Sequence, residues 1–297
     1  MSSKSELWDI EFVDLAILNK KICSYAKDGY ASIWFLGWDI SIHPKIIEII
    51  SQCKKSLFES INIISNWMRF DDFEFAREVV NAWLTRINLS VHSHLDTIED
   101  YLIQVPWWLQ RKLKAIDNLK KLYNKWLLKD DISINIVLNS KNLWTITETI
   151  LYFNKAKGIN DFRINFIWLS DNVKENWNDL KISYTEFLPH LRRLIYISEK
   201  YHIRITFDTV PACIFYKINA WEHRAIIKKY LWEDQDHIVQ VDHIHNNDAF
   251  DWKERKKSLL KIQFPQCARC EYNTSCQWVW KSYWELYWWS EIIPIIT

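Results

Sequence analysis

A chain of 297 residues, 49% of them hydrophobic, can bury one large core with room for a small appended domain. With 38 Lys and Arg against 37 Asp and Glu, its net charge of +1 supplies no bulk field for nucleic acid or an anionic membrane. No apolar run reaches the roughly 18 residues of a transmembrane helix, and Met1-Ser2-Ser3-Lys4-Ser5-Glu6 turns acidic too early for a secretory signal, so a reducing, cytoplasmic setting is expected.

Strand and helix patterns alternate along the chain. An opening helix is expected over 7–26, a buried strand over 32–36, and a helix over 44–58 with Ile46, Ile49, Ile50, Cys53 and Leu57 on one face. Strand 60–65, helix 71–81, strand 86–91 and helix 109–123 follow, then strand 133–138, helix 146–157 and strand 163–167. Ser183-Tyr184-Thr185-Glu186 has the form of a capping box opening a helix to about 200, and strand 203–207 closes the series. Short apolar strands between amphipathic helices predict a parallel sheet with right-handed crossovers, its functional face at the carboxyl ends of the strands. A doubly wound open sheet is the competing layout. Beyond Asp208 the pattern stops, and a boundary near residue 214 divides a barrel-like part, 1–213, from an irregular Cys-rich part, 214–297.

Glycine normally makes up about 7% of residues, yet the chain holds 3 Gly and 19 Trp. Tryptophans stand where the backbone calls for glycine: Gly37-Trp38-Asp39 and Asn66-Trp67 after strands, Pro106-Trp107-Trp108 before a helix, and Ala82-Trp83-Leu84 and Lys125-Trp126 after helices. Many of these tryptophans are therefore expected to be glycine in the cell, as they would be where UGA codons are read as glycine.

The strand ends carry a resemblance. Phe35-Leu36-Gly37-Trp38-Asp39 followed by Ile40-Ser41-Ile42-His43-Pro44, with Trp38 read as glycine, resembles the Gly-Gly-Glu-Pro segment of radical S-adenosylmethionine enzymes. Asp replaces Glu and Ile replaces Pro here. Ile63-Ile64-Ser65-Asn66-Trp67 resembles the family's Thr-Asn-Gly strand end, and Leu89-Ser90-Val91-His92-Ser93 the next one. Val105-Pro106-Trp107 resembles its Val-Pro-Gly, and Ile134 to Asn139 its fifth strand. The resemblance implies a partial (β/α)6 TIM-like barrel lacking the first strand and its cluster loop. It also implies S-adenosylmethionine bound across Gly37, Trp38, Asp39, Asn66, Ser90, His92, Ser93 and Asn139. Each of the polar strand-end residues also has a plainer reading, as a turn or cap residue. His92, His94 and Asp208 are candidates for the barrel mouth.

Cys267-x2-Cys270-x5-Cys276 is tightly spaced. Followed by Gln277-Trp278-Val279-Trp280 and Tyr283-x3-Tyr287-Trp288, it resembles the tail of radical enzymes with an auxiliary cluster of the SPASM or twitch type. Cys213 is the candidate fourth metal ligand. An auxiliary [4Fe-4S] cluster, a zinc site completed by His243 or His245, and unrelated reduced thiols all stay open. Cys23 and Cys53 read as core residues.

Family members hold the catalytic [4Fe-4S] cluster on Cys-x3-Cys-x2-Cys, which this chain lacks. The expectation is an N-terminally truncated radical enzyme, inactive as this fragment. The full-length protein would cleave S-adenosylmethionine reductively to abstract hydrogen from a peptide or small-molecule substrate, with a reductant for the cluster and neither membrane nor nucleic acid as partner. The alternative is a non-catalytic barrel remnant with a zinc or iron–sulfur tail, acting as a binding module. An unrelated nucleotide binder would need a phosphate-binding Gly-rich loop, absent even after glycines are restored.

Overall fold

The structure is a computed structural model that describes residues 12–36, 39–66, 69–169, 174–231, 239–241, 249–287 and 290–296. It forms two compact units: Met1–Leu89 with Lys112–Ile132 and Val239–Phe250, and Ser90–Arg111 with Ser133–Ile238 and Asp251–Thr297.

In the first unit, α1 (Leu15–Lys27), β1 (Ser32–Phe35), α2 (Ile46–Lys55), β2 (Ser60–Ser65), α3 (Phe73–Asn81) and β3 (Arg86–Ser90) alternate. The helices begin where carboxylates satisfy orphan N–H groups. Asp14 accepts from Ala16 and Ile17, and Asp72 from Glu74 and Phe75. The strands are parallel, with Ser32 opposite Ser60 and Asn62 opposite Arg86. On α2 the expected face is the buried one at Ile46, Ile49, Ile50 and Cys53, at 0–1% exposure, whereas Leu57, expected on the same face, lies past the helix end and is 84% exposed. Cys53 is thus a core residue, and its thiol is pushed up to about 12 by burial. Cys23 on α1 is half-buried and accepts from Gln52 Nε2 at 3.4 Å.

The second unit opens with α4 (Asp96–Ile103) and the start of α5 (Trp108–Asn124), whose residues from Lys112 belong to the first unit. Then come β4 (Ser133–Leu138), α6 (Ile146–Lys157), β5 (Asp161–Phe166), α7 (Trp177–Leu180), α8 (Tyr184–Tyr201) and β6 (Arg204–Asp208), followed by α9 (Ala212–Tyr216) and α10 (His223–Tyr230). These strands are also parallel, with Asn135 opposite Arg163 and Asn165 opposite Asp208. One face is buried through Ile134, Ile136, Phe162, Ile164, Ile205 and Phe207. The other carries half-buried Asn135, Arg163, Asn165 and Asp208. A parallel strand covered on both faces by apolar layers reads as a continuous hydrophobic run; this alternation instead leaves one face polar.

The capping box is present in full. Ser183 accepts from the Glu186 backbone while the Glu186 side chain accepts from Ser183 N–H. Several helices depart from expectation. Among them, α4 occupies a stretch to which the sequence pattern assigned no element, and α10 lies in the segment read as irregular. Both have only eight residues, too few for a helical period to stand out in sequence. The part of the expected opening helix before residue 12 lies outside the described residues.

Candidate functional site: polar strand ends and a thiol cavity

In the first unit, a buried carboxylate follows β1 in sequence. Asp39 is 5% exposed, and its Oδ1 accepts both Ser41 N–H at 2.8 Å and Ser65 O–H at 2.9 Å. One oxygen therefore ties residues 39–41 to the carboxyl end of β2. Nearby, Ser41 Oγ is buried with no hydrogen-bond partner among the described residues. Burial lowers the pKa of His43, and its Nδ1 accepts Lys45 N–H at 3.0 Å, so the ring is neutral with its proton on Nε2. Asn66, half-buried, follows β2 directly. Gly37 and Trp38 lie outside the described residues.

In the second unit, the segment after β3 is organised by a carboxylate the sequence reading missed. Glu99 on α4 is fully buried, and its Oε2 accepts His92 N–H at 2.7 Å and Ser93 N–H at 2.8 Å. His92 Nδ1 accepts Val137 N–H at 3.2 Å, and its carbonyl accepts Asn142 Nδ2 at 3.1 Å. The imidazole is thereby held through Nδ1, which as an acceptor leaves the ring proton on Nε2. Ser93 Oγ accepts Leu95 N–H at 3.1 Å, entering α4. Asn139, 3% exposed, accepts Lys141 N–H at 3.0 Å and donates to the Val137 carbonyl at 3.1 Å. Ser93 and Asn139 thus shape the strand ends through local turn bonds. Ser90 is half-buried at the end of β3. His94 Nδ1 lies 2.9 Å from Thr149 Oγ1, and burial lowers its pKa. At the end of β6, Asp208 Oδ1 is shielded from solvent and has no partner among the described residues. Asn165 donates to Asn135 Oδ1 at 2.5 Å on the same polar face. Ser93-x2-Asp96 has the form of a capping box just before Glu99, but the observed N-cap is Leu95, without a side-chain cap, so no sequence signal singled out Glu99, Asn135 or Asn165.

The four tail cysteines meet at one place. Cys213, at the start of α9, and Cys267, Cys270 and Cys276 all line one largely apolar cavity, with Phe264 and Val279 among its walls. Burial pushes the Cys213 thiol up to about 12 and also raises Cys276 and Cys267. Backbone N–H groups point at the sulfurs: Trp278 to Cys276 Sγ and Ile295 to Cys270 Sγ, both at 3.4 Å. Four thiols with N–H donors aimed at them suit a soft metal or an iron–sulfur cluster, whose charge would reverse the burial penalty on the thiolates. They are nonetheless not closed on a common point. No group of three or more His, Cys, Asp or Glu side chains among the described residues is arranged to hold a metal ion. His243 and His245 lie outside the described residues. The six cysteines of the chain are accounted for by this cavity, α1 and α2, so they do not fit the radical-generating cluster.

Among the described residues, no helix is long and apolar enough to cross a membrane. No family model matches the sequence, and no curated protein matches it. Solved structures do match. HydG, titled a maturase of the [FeFe]-hydrogenase, aligns at a TM-score of 0.51 and 8% identity over 70% of this chain and 48% of that one. The FeFe-hydrogenase maturase HydG from Carboxydothermus hydrogenoformans aligns at 0.53 and 15% identity over 83% of this chain and 58% of that one. A domain of a pyruvate-formate lyase-activating enzyme from Bacteroides vulgatus aligns at 0.41 and 17% identity over 59% of this chain and 97% of that domain. The chain thus spans about half the length of the HydG chains it matches. At these identities the likeness speaks for the fold alone, and it decides between the two layouts expected from sequence. The chain shares the fold of these HydG structures, an α/β architecture of the partial (β/α)6 TIM-like barrel type.

Proposed function

We propose that this chain is the cofactor- and substrate-binding body of a radical S-adenosylmethionine enzyme acting on a peptide or other complex substrate. The observation that carries the reading is the set of buried carboxylates holding polar strand ends within that fold: Asp39 on Ser65 in one unit, Glu99 on His92 and Ser93 in the other. Asp39 supplies negative charge for the cofactor's ammonium, beside the buried, unpartnered Ser41 Oγ. His92 is assigned to the ribose side of the cofactor, and Glu99 keeps its backbone from shifting. Asn66, Ser90, Ser93 and Asn139 complete this assignment, together with Gly37 and Trp38, which lie outside the described residues. S-adenosylmethionine, when bound, supplies reductive carbon–sulfur cleavage and hydrogen abstraction. That chemistry also takes a [4Fe-4S] cluster and a reductant, and the cluster's ligands would come from outside these 297 residues. Asp208 and the Asn135–Asn165 pair form a polar wall suited to the substrate's polar groups.

The tail, from about residue 214, belongs to this reading as an auxiliary-centre domain in which Cys213, Cys267, Cys270 and Cys276 hold an iron–sulfur cluster or zinc. Free thiols of this kind call for a reducing compartment, the cytoplasm. Calorimetric titration of the chain with S-adenosylmethionine, beside anaerobic reconstitution with iron and sulfide, tests both halves. Cofactor binding that is lost in Asp39→Ala, with iron lost in Cys267→Ala, is the expected result. No cofactor binding by the folded chain sinks the first half.

A second reading is favoured by one observation, the absence of Cys-x3-Cys-x2-Cys from the chain. In it the chain is a barrel remnant that binds a peptide or partner protein through the same polar face, with the tail centre structural. Cofactor cleavage by a longer form carrying the cluster loop would exclude it.

A further inference from the structure

Among the described residues, eight non-glycine residues have a left-handed backbone, and four of them are tryptophan: Trp83 at φ 92°, Trp107 at 62°, Trp126 at 60° and Trp278 at 60°. Bulky side chains are rare outliers in that region, where Asn, Asp and His are the usual exceptions to glycine. The remaining four, Leu57, Gln104, His202 and Thr209, come from four residue types. Tryptophan alone supplies half, although it makes up 19 of 297 residues.

Three of the four sit in turns that favour glycine, and Trp278 precedes a short strand, Val279–Trp280. Trp83 follows α3, with its N–H on the Val80 carbonyl at 3.0 Å and Leu84 N–H on Val79 at 3.4 Å. Trp126 follows α5, with its N–H on Tyr123 at 2.8 Å and Leu127 N–H on Leu122 at 3.1 Å. Both are Schellman caps, whose left-handed position is normally glycine. After α1 the same motif does hold glycine: Gly29 N–H meets Ala26 at 3.2 Å and Tyr30 N–H meets Tyr25 at 3.1 Å. Trp107 follows Pro106, as the glycine of a type II turn does. Trp278 turns the chain so that its N–H reaches Cys276 Sγ at 3.4 Å, and its side chain helps wall the thiol cavity. Exposure agrees: Trp126 is 91% and Trp107 75% exposed. Trp177 and Trp280 are buried with ordinary backbone, and the inference does not extend to them.

We propose that positions 83, 107, 126 and 278 carry glycine in the protein its own cell makes, inserted at UGA codons, and that glycine at 278 opens the thiol cavity to an inorganic centre. The second half rests on the auxiliary-centre reading above. Removing the indole takes away one wall and keeps the N–H donor on Cys276, so the four sulfurs gain room to close on one ion.

Tandem mass spectrometry of peptides from protein purified from its own cells tests the first half. Glycine at the four positions is expected, and tryptophan at any of them overturns it. For the second half, the recombinant chain and its Trp278→Gly variant are loaded anaerobically with zinc alone, and bound zinc and protected thiols are counted. Circular dichroism confirms that each is folded. A several-fold rise in zinc occupancy in Trp278→Gly, with the four cavity thiols protected, is expected. Equal occupancy in both overturns the cavity claim while leaving the glycine identities intact. Failure of both folded proteins to bind zinc or an iron–sulfur cluster overturns the auxiliary-centre reading itself, again independently of the peptide masses.

Discussion

Glu99 holds His92 by its backbone, accepting the amide hydrogen at 2.7 Å from within a fully buried environment. The same oxygen takes Ser93 N–H, so one carboxylate fixes two consecutive peptide groups at the end of β3. Replacing it with alanine orphans two buried donors, and each lost charge-assisted bond costs roughly 1.5–3 kcal/mol. Glu99→Ala is therefore expected to lose at least about 2 kcal/mol in urea unfolding, and Glu99→Gln markedly less, since an amide oxygen still accepts. A Glu99→Ala protein as stable as the parent would contradict this arrangement.

Asp39 and Ser65 separate folding from binding. Asp39→Asn keeps an oxygen for Ser41 N–H and Ser65 O–H, so its stability should stay within about 1 kcal/mol of the parent. Loss of the charge should weaken S-adenosylmethionine binding by roughly tenfold or more, the worth of a charge-assisted contact. Calorimetric titration reads the affinity and thermal unfolding reads the stability. An unchanged affinity would remove Asp39 from the cofactor's ammonium.

Two buried thiols give the protein an alkaline weakness. Cys53 and Cys213 are both pushed from the ordinary 9.0 up to about 12 by burial. Their folded-state pKa values lie above the unfolded ones, so the stabilisation is fully present below about pH 9 and is lost as pH rises toward 12. A shift of that size corresponds to about 4 kcal/mol per thiol at the upper end. Urea midpoints measured from about pH 8 to about pH 11 should fall steeply. Cys53→Ala should show a shallower slope, whatever its absolute stability. Parallel slopes would show that Cys53 does not titrate this way.

Trp126→Gly should stabilise the recombinant chain. The left-handed conformation costs a non-glycine residue roughly 1–2 kcal/mol, partly offset by glycine's greater unfolded freedom. A net gain of about 1 kcal/mol is expected. Trp221, 96% exposed but not left-handed, is the control, and Trp221→Gly should give no gain. Equal effects at both positions would show that exposure, not backbone conformation, governs the outcome.

Tyr283 links the tail to the start of α8. Its hydroxyl accepts Tyr184 N–H at 2.8 Å and donates to Glu291, with both tyrosines nearly fully buried. Glu291 also takes Tyr184 N–H at 3.3 Å, which softens the loss. Tyr283→Phe should cost about 1 kcal/mol in denaturant unfolding and speed hydrogen exchange at Tyr184 N–H. Unaltered exchange there would show that Glu291 alone satisfies the amide.

The strands and long helices were legible in sequence because their signals are local. Ile46, Ile49, Ile50 and Cys53 repeat at helical spacing, 60–65 and 133–138 are strands as expected, and Ser183 with Glu186 announces α8. The tryptophans at glycine positions were visible for the same reason, since turn chemistry is written in neighbouring residues. The tertiary structure decided what depends on distant contact. Cys213 lines the same cavity as Cys267, Cys270 and Cys276 only because α9 packs where the tail returns. Glu99 acts on His92 and Ser93 only because α4 exists, and eight residues leave too faint a period to announce it. Backbone φ is likewise invisible in a list of residues, and it singles out Trp83, Trp107, Trp126 and Trp278 while passing over Trp177 and Trp280. Local sequence sets propensity and pattern, whereas burial and backbone geometry are settled when distant segments pack.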